Sequence, residues 1–462
     1  MERERGSIIT GMLTSPAVVA CILVAAVFPA RADDRFVADH WIASCPDAER
    51  VLADAEAVTA MNRRMLAEER SVTDLSRLPA TLPRTEVVDR IKRQCRLPEG
   101  PLVFADGVLV GDEPRRHWRA SLALDEVPAT VEPRCGLVVR RAAIRRFPTW
   151  QRVHARAADS TTGTDTDIDQ FQETAFFPGT PVAAVHATTD RDWWFVIGPT
   201  YAGWVAADSI ALGDRAEVLA YAARGSRVVT AARAATAFTP DLPAISQLPL
   251  DMGTTLPERY VWPAGTPVNG QSSAASVVVD LPTRDTSGAL RVVPALIPRA
   301  ADTHDGPLPA TRANVLRQAF KFLGERYGWG HDFDGRDCSG FVCEVYRSLG
   351  ILLPRNTRDQ AVCPALATTP VAPDWPRSRR LEAIHALLPG DLVYTRRHVM
   401  IVVGRDDDGP WVIHDTHEGR TAGVHANGVV LQPLLAIDGG GVIDAVTAVV
   451  AVLAPPSATA AR

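Results

Sequence analysis

The sequence predicts a multidomain α+β protein in which a helical segment, two small β-barrels and a C-terminal α+β domain follow one another. Three observations lead to this prediction. The 462 residues exceed the length at which a single hydrophobic core keeps growing. Runs rich in Ala, Leu, Glu and Arg give way, at about residue 136, to short Val, Ile, Trp and Thr runs broken by Pro and Gly. After about residue 300, a helical pattern precedes alternating strands.

Residues 1–32 have the pattern of a signal peptide. Two arginines precede an apolar stretch from Ala17 to Phe28, and Ala30-Arg31-Ala32 fits a small-residue cleavage site. The stretch is shorter than the roughly 20 residues that span a bilayer, so a membrane anchor is the less favoured alternative. We therefore expect an exported protein, periplasmic or extracellular and associated with the cell envelope, without stable membrane insertion.

Composition and charge exclude one class of partner. The chain is 46% hydrophobic and 22% charged, as in soluble globular proteins, and its net charge is -5. Proteins that bind DNA or RNA present a basic surface to the phosphates. We therefore predict no nucleic-acid partner.

Cleavage of the leader would leave six cysteines, and an exported protein can oxidise them. Cys45 and Cys95 lie in the same N-terminal region. A disulfide between them and two free buried thiols are both compatible with the sequence. Cys343 is interpreted as a small core residue.

Residues 33–150 are predicted to form a helical N-terminal stabilising domain. Asp47 to Glu69 is rich in helix-forming residues, and Arg84 to Arg96 is a second amphipathic run. We expect this domain to pack against its neighbours.

Two small β-barrels are predicted, over residues 151–220 and 221–304. The segment from Phe177 to Val182 has an echo from Pro263 to Val268, and each copy starts a strand-like series. Asp192 to Ile197 and Tyr201 to Val205 then predict a strand, a turn and a second strand. The aromatic residues assigned to the barrel core are Trp193, Trp194 and Trp204.

Residues 305–453 are predicted to form a domain in which one helix packs on an antiparallel sheet, and 454–462 a disordered tail. The helix begins at Cys338, where apolar residues recur at helical spacing, and stops at Gly350. The segments predicted as a further helix and three strands are Ala313 to Tyr327, Leu388 to Tyr394, His398 to Gly404 and Trp411 to His414.

Asp337-Cys338-Ser339-Gly340 indicates a cysteine nucleophile. Partial positive charge at a helix N-terminus lowers a thiol pKa, and an adjacent imidazolium lowers it further. His398 and His414, on the predicted strands, are candidates for the base and its partner.

These residues resemble the NlpC-type family of bacterial cell-wall cysteine peptidases, which have a papain-like core. The resemblance rests on Tyr327-Gly328-Trp329-Gly330, Arg336 to Phe341, Pro389 to Leu392 and the two histidines, in the family's order. It covers about residues 305–453. The upstream chain looks like the subgroup in which a helical stabilising segment and two bacterial SH3-like barrels precede the peptidase.

The resemblance implies a role for each matching residue. Cys338 would be the nucleophile, His398 the base, and His414 the residue that orients His398. The Tyr327 hydroxyl and the backbone N–H of Cys338 would stabilise the tetrahedral oxyanion. The resemblance implies no cofactor.

The family also implies a substrate, namely peptidoglycan stem peptides cut between γ-D-glutamate and the following diamino acid. In the SH3-bearing subgroup the substrate presents a free N-terminal L-alanine, whose ammonium group Asp337 would bind. Ser339 and Trp329 match further substrate-binding positions, and Tyr201 resembles the residue that closes the cleft. Glu173 is given no role. Diaminopimelate and lysine both remain open as the diamino acid.

Two features qualify this interpretation. His331 stands where the family usually has a second glycine, which predicts a reshaped loop over the cleft. His417 and His425 follow His414, but the Cys or carboxylate spacing of a zinc site is missing, so we predict no metal and assign both to an exposed loop.

Two alternative functions are also compatible with these sequence features. An acyl transferase or amidase could use the same fold and cysteine, because fold alone does not determine function. A non-catalytic protein that binds the cell wall through its barrels is the second alternative.

Overall fold

The computed structural model describes residues 34–156, 165–421 and 424–454. From Arg35 onward the described residues form one compact unit. The predicted leader, and the predicted tail beyond residue 454, lie outside the described residues. No helix in the described part of the chain is both long and apolar enough to cross a membrane.

The N-terminal region is helical but shares its cores with other regions. Trp41 and Met65 join the hydrophobic core of the C-terminal domain, whereas Ile91 and Trp118 pack into a core with the first β region. Its elements are α1 (Ala38–Ala43), α2 (Ala55–Glu68), β1 (Leu82–Pro83), α3 (Arg84–Gln94), β2 (Leu102–Val103), α4 (Asp112–Ala120) and β3 (Thr130–Val131).

The first β region is built on a seven-stranded antiparallel sheet with strand order β11-β4-β8-β9-β10-β5-β7. Trp204 is fully buried in its core and Trp193 nearly so. The strands are β4 (Arg134–Val138), β5 (Ala142–Arg145), β6 (His154–Ala155), β7 (Gln172–Phe176), β8 (Pro181–Ala187), β9 (Trp193–Ile197), β10 (Ala202–Ala206) and β11 (Ile210–Leu212), of which β6 pairs outside this sheet, with β2.

This sheet begins before residue 151, where the sequence analysis placed the start of the barrel. Strands β4 and β5 belong to it, because β4 pairs with β8 and β5 pairs with β7. Short strands gain their hydrogen-bond partners from distant residues, so local composition does not show which sheet they join.

The second β region follows α5 (Arg215–Ala223). Its hairpin of β16 and β17 is paired along its whole length. Pro263 to Val268, the predicted echo, starts no strand here, since the next strand begins at Ser276. The strands are β12 (Arg227–Val229), β13 (Arg233–Ala235), β14 (Pro249–Asp251), β15 (Thr255–Leu256), β16 (Ser276–Arg284), β17 (Leu290–Pro298) and β18 (Thr303–Asp305).

The C-terminal domain is a six-stranded antiparallel sheet, ordered β19-β26-β20-β21-β22-β25, with helices on both faces. Its helices are α6 (Arg312–Phe320), α7 (Cys338–Ser348), α8 (Thr357–Ala361), α9 (Arg377–His385) and α10 (Val442–Ala445). Its strands are β19 (Ala367–Pro370), β20 (Leu392–Thr395), β21 (Val399–Asp406), β22 (Gly409–Thr416), β23 (Arg420–Thr421), β24 (Val424–His425), β25 (Gly428–Pro433) and β26 (Val446–Ala451).

The predicted helix from Cys338 is confirmed as α7, which packs on this sheet. Phe341 and Val345 on α7 share a core with Ile401 and Ile413 on β21 and β22. The chain leaves the helix at Gly350, whose φ of +76° suits glycine. The helix predicted from Ala313 is shorter than expected, because α6 ends at Phe320.

Candidate active site

Cys338 is the first residue of α7, and the turn that holds it is capped. The Asp337 carboxylate accepts the backbone N–H of Gly340 at 2.8 Å, which is an N-cap interaction. The thiol lies 3.5 Å from the Thr357 hydroxyl on α8 and 3.9 Å from the carbonyl oxygen of Arg397. The side chain is therefore held from three elements.

The charge state of this thiol differs from the one that the sequence predicted. Burial, followed by the negative charge of Asp337, raises the pKa of the Cys338 thiol to about 12, against the opposing effect of hydrogen bonds from Thr357 and the N–H of Val399. The helix N-terminus was expected to lower this pKa. Its effect is outweighed, because the free energy needed to remove a thiolate from water exceeds the stabilisation that the helix N-terminus provides. The free site therefore holds a neutral thiol.

The two candidate histidines lie in contact on neighbouring strands. His398 directly precedes β21, and its Nε2 lies 2.7 Å from Nδ1 of His414 on β22. Nε2 of His414 lies in turn 2.9 Å from Nε2 of Gln432 on β25. Burial lowers the pKa of His398 to about 4 and holds the pKa of His414 well below its usual value. Both rings are therefore neutral at neutral pH.

The thiol meets the backbone on both sides of His398. Its sulfur approaches the carbonyl of Arg397 and the N–H of Val399. Within the described residues, no hydrogen bond joins the sulfur to the His398 ring. In free enzymes catalytic hydrogen bonds are often long and shorten only when substrate is bound. The structure thus brings the two residues together, with the Cys338 sulfur in contact with the backbone on either side of His398.

Tyr327 is a buried phenol next to this site. Burial raises its pKa far above the usual value, and the negative charge of Asp337 acts in the same direction. The hydroxyl therefore keeps its proton and can donate a hydrogen bond. The ring packs against that of His417, with centroids 5.6 Å apart, so His417 is not the exposed loop residue that the sequence suggested.

Asp337 has little capacity left to bind a substrate ammonium group. Besides Gly340, its oxygens accept the N–H of Gly330 at 3.0 Å, the Ser339 hydroxyl at 3.3 Å and two Arg355 nitrogens at 3.1 and 2.8 Å. Burial alone would raise the pKa of Asp337, but Arg355 holds it below its usual value. An ionised carboxylate offers about four acceptor positions, and these donors occupy them.

Arg355, which sequence reasoning missed, joins the thiol side to the first β region. Its Nε donates to the Thr174 hydroxyl on β7 at 2.6 Å, and its Nη2 lies 2.9 Å from Nδ1 of His331. The residues next to Arg355 in the sequence do not indicate that its side chain is buried or that it forms an ion pair. Only the tertiary structure shows that Asp337 and Arg355 form a buried ion pair.

His331 connects this ion pair to a second one. Burial, and then the charge of Arg355, keep its pKa well below the usual value, so the ring is neutral. Because Arg355 can only donate to Nδ1, the Nε2 nitrogen carries the proton and donates to Glu344 on α7 at 3.0 Å. Glu344 also accepts from Arg336, which pairs with Asp251 of the second β region at 2.7 Å.

Tyr201 and Glu173 lie at the edge of the first β region that faces the cleft loop. The Tyr201 hydroxyl donates to the Glu173 carboxylate, which also accepts Nε of Arg146 at 2.5 Å. The backbone beside Glu173 touches Gly330, where an added Cβ would lie 2.9 Å from a carbonyl oxygen. Trp329, at the start of this loop, is 38% exposed.

Asp415 is a second residue that sequence reasoning missed. It follows His414 on β22, and both of its carboxyl oxygens are buried without a hydrogen-bond partner among the described residues. Burial raises its pKa well above the usual value, and the charges of Asp337 and Glu325 add to the effect. Asp415 is therefore a neutral acid.

One group of side chains in the described residues has atoms close enough to share a metal ion. The ligand atoms of Asp165, Asp167 and His417 lie within 4.8 Å of one another. Asp167 is already bound by Arg326 at 2.6 Å and by Asn427 at 2.8 Å. The described cysteines are all free thiols, so Cys45 and Cys95 form no disulfide; Cys95 is buried as expected, whereas Cys45 is partly exposed.

Two known protein families match parts of this chain. The sequence profile of the NlpC/P60 family matches residues 324–437, the range that holds Cys338, His398 and His414. Residues 324–437 form an NlpC/P60 domain. The profile of an SH3 domain of the SH3b1 type matches residues 157–206, within the first β region. None of the curated proteins compared matches the sequence significantly.

One solved structure shares this architecture over most of the chain. An NlpC/P60 endopeptidase from Photobacterium damselae subsp. piscicida superposes with a TM-score of 0.72 at 18% identity, over 91% of this chain and 97% of that chain. An NlpC/P60 family protein from Bacillus cereus ATCC 10987 is 19% identical over 69% of this chain and all of that chain, with a TM-score of 0.45. The first likeness shows that the NlpC/P60 domain and the regions before it share one fold with that endopeptidase.

Proposed function

We propose that this protein is an exported cysteine endopeptidase that hydrolyses the γ-D-glutamyl–diamino acid bond of peptidoglycan stem peptides with a free N-terminal L-alanine. The observation that carries this proposal is the position of Cys338 beside the His398–His414 pair in an NlpC/P60 domain. The edge of the first β region closes one end of the same cleft. We infer no stable membrane insertion and no nucleic-acid partner.

The reaction would begin from neutral groups. As the sulfur of Cys338 attacks the γ-carbonyl carbon, its proton moves to Nδ1 of His398. His414 keeps the His398 ring in place through the 2.7 Å hydrogen bond at Nε2. Charge separation is then produced by the reaction itself, in a site where burial disfavours isolated charges.

The oxyanion and the leaving group would be handled by separate residues. The Tyr327 hydroxyl, whose pKa is raised, donates to the oxyanion together with the N–H of Cys338. One such donor typically contributes about 2.7–4 kcal/mol in the transition state. His398 returns its proton to the amine of the diamino acid, and water then hydrolyses the thioester.

Glu173 is a better partner than Asp337 for the substrate ammonium group. The Asp337 carboxylate is filled by donors from its own chain, whereas Glu173 has two donor side chains, Arg146 and Tyr201. A carboxylate has room for a further donor beyond two. An ammonium–carboxylate contact in a cleft that excludes water is stronger than at an exposed surface.

The test uses the mature protein with a Cys338→Ala control. L-alanyl-γ-D-glutamyl-diaminopimelate, its N-acetylated form and intact peptidoglycan are incubated separately, and products are identified by mass spectrometry. We expect release of L-alanyl-D-glutamate from the free peptide only, dependent on Cys338. Glu173→Gln should lower kcat/KM on the free peptide.

Other outcomes would reject specific parts of the proposal. Cleavage of intact peptidoglycan would reject the free-alanine requirement. Products formed only with an added amine acceptor would indicate acyl transfer. Binding to peptidoglycan without turnover, equal in the Cys338→Ala protein, would indicate a cell-wall-binding protein.

A further inference from the structure

Tyr327, the proposed oxyanion donor, is oriented by its ring and its backbone. In the described part of the chain, its hydroxyl takes part in no hydrogen bond. A donor of this kind is effective only if it already points at the position where negative charge develops. The groups that fix the ring and the backbone of Tyr327 therefore decide whether the hydroxyl can act.

Three residues adjoin Tyr327 on different sides. Arg326 precedes it in the chain, and the backbone carbonyl oxygen of Asn427 accepts its N–H at 3.4 Å. The ring of His417 packs on that of Tyr327, with centroids 5.6 Å apart. His417 directly follows β22, and Asn427 directly precedes β25. The position of Tyr327 thus depends on how these three residues are held.

One carboxylate oxygen of Asp167 reaches all three. Its Oδ2 accepts Nη2 of Arg326 at 2.6 Å and Nδ2 of Asn427 at 2.8 Å. The same oxygen lies 4.0 Å from Nε2 of His417. Asp167 lies between β6 and β7, inside the range that matches the SH3 profile. A residue of the first β region therefore contacts each of the three neighbours of Tyr327.

The Asp167 carboxylate is charged in this position. Burial opposes its ionisation, but the hydrogen bond from Asn427 and the charge of Arg326 lower its pKa. A charged acceptor forms shorter and stronger hydrogen bonds than a neutral one. We propose that Asp167 is a positioning residue through which the first β region holds Tyr327 in place for the oxyanion. This role rests on the part that Tyr327 has in the proposed peptide hydrolysis.

The conformation of Asn427 supports this assignment. Its φ of +37° lies in the left-handed region, and its Oδ1 is buried without a hydrogen-bond partner among the described residues. Both features cost free energy and persist only where surrounding contacts impose them. The bond from Nδ2 to Asp167 is such a contact, and it fixes the residue whose carbonyl oxygen binds the backbone of Tyr327.

The first test needs no substrate. The 6 tyrosines of the chain are replaced by fluorotyrosine, and the fluorine NMR signal of Tyr327 is assigned by its loss in Tyr327→Phe. In Asp167→Ala this signal should shift and broaden, because the ring samples more than one position. Asp167→Asn keeps one acceptor oxygen and should show a smaller change. An unchanged signal in Asp167→Ala would overturn the proposal.

The second test measures steady-state kinetics on the stem peptide. Asp167→Ala should lower kcat about tenfold, a part of the roughly 10²-fold loss that removal of one oxyanion donor causes, and leave KM nearly unchanged. In the Tyr327→Phe background the same substitution should cause no further loss, because Asp167 acts through the Tyr327 hydroxyl. Losses that multiply in the double variant would contradict this role.

Asp302→Ala is the matched control. Asp302 also accepts from a cation and from a neutral side chain, Lys321 at 2.6 Å and Thr230 at 2.5 Å, where the second β region meets the end of α6. It should change neither the fluorine signal of Tyr327 nor kcat, and changes equal to those in Asp167→Ala would overturn the proposal. If the wild-type protein hydrolyses no stem peptide, the peptidase function fails, whereas the fluorine signals still decide the role of Asp167.

Discussion

The two sides of the candidate site are stabilised in opposite ways. On the thiol side, Asp337 and Arg355 form a buried ion pair that His331 connects to Glu344 and Arg336. On the base side, His398, His414 and Gln432 are joined by hydrogen bonds between neutral groups. One side is built from charges that exist before the reaction, and the other from groups that become charged during it.

This difference separates stability from catalysis. Breaking a buried ion pair leaves an uncompensated charge, so substitutions on the thiol side should mainly destabilise the fold. Removing a neutral ring leaves no charge behind, so substitutions on the base side should mainly slow the reaction. Each of the following predictions can break or sharpen this contrast.

The largest effect is expected at the base. His398→Ala should lower kcat on the stem peptide by about 10²–10⁴-fold, the usual contribution of a general acid–base group. Its free energy of unfolding should change much less, because the ring is uncharged and its removal leaves no buried charge behind. Steady-state kinetics and urea denaturation measure the two quantities. A large loss of stability with little loss of kcat would reverse the contrast.

On the thiol side the large effect should be on stability. Arg355→Met leaves the buried Asp337 without its counter-ion and should cost about 3–5 kcal/mol in the free energy of unfolding. The control is Arg377→Met, since Arg377 pairs with Asp444 at the surface, where an ion pair contributes at most about 1 kcal/mol. Urea denaturation measures the free energy of unfolding of both variants. An equal loss in the two variants would contradict the prediction.

A smaller effect should appear where the first β region meets the thiol side. Thr174→Val keeps the shape of the side chain but leaves Nε–H of Arg355 without an acceptor, at a cost of about 1–3 kcal/mol. Thr189→Val removes an exposed hydroxyl contact to Glu126 and is the matched control. Equal unfolding free energies for these two variants would show that the contact with β7 contributes nothing.

The last effect, and the most specific, depends on pH. The pKa of Asp415 is raised in the folded state, so the folded state binds this proton more tightly than the unfolded state. The resulting penalty is absent below about pH 4 and grows as pH rises above the unfolded pKa of about 3.9. Asp415→Asn removes the penalty, so its stability relative to the wild type should increase between pH 4 and pH 8. A difference that is constant with pH would show that Asp415 is ionised in the fold.

Much of the fold could be predicted because it depends on local patterns. Helix α7 begins and ends where the apolar spacing, Cys338 and Gly350 place it. Strands β21 and β22, predicted from short apolar runs, are also present, and His398 lies directly before β21. The start of the first sheet could not be predicted, because β4 belongs to this sheet only through its pairing with β8, which lies far along the chain.

The residues of the candidate site also fall into two groups, those that a local sequence pattern predicted and those that it did not. The sequence predicted Cys338, His398, His414 and Tyr327 as site residues through their order and their resemblance to a family, and the structure places them near one another. It missed Arg355, Asp415 and Gln432, whose neighbours in sequence carry no chemical pattern. Asp337 was identified as a substrate-binding residue, whereas its hydrogen bonds show it to be the cap of α7.

The sequence by itself determined the candidate residues for the chemistry and much of the secondary structure around them, since both depend on residue type and short-range spacing. Only the tertiary structure decided the charge state of the site. A helix N-terminus favours a thiolate, but burial raises the pKa of Cys338 and lowers that of His398. Burial and ion pairing are set by residues far apart in the chain, and their free energies exceed the local influence of the helix end.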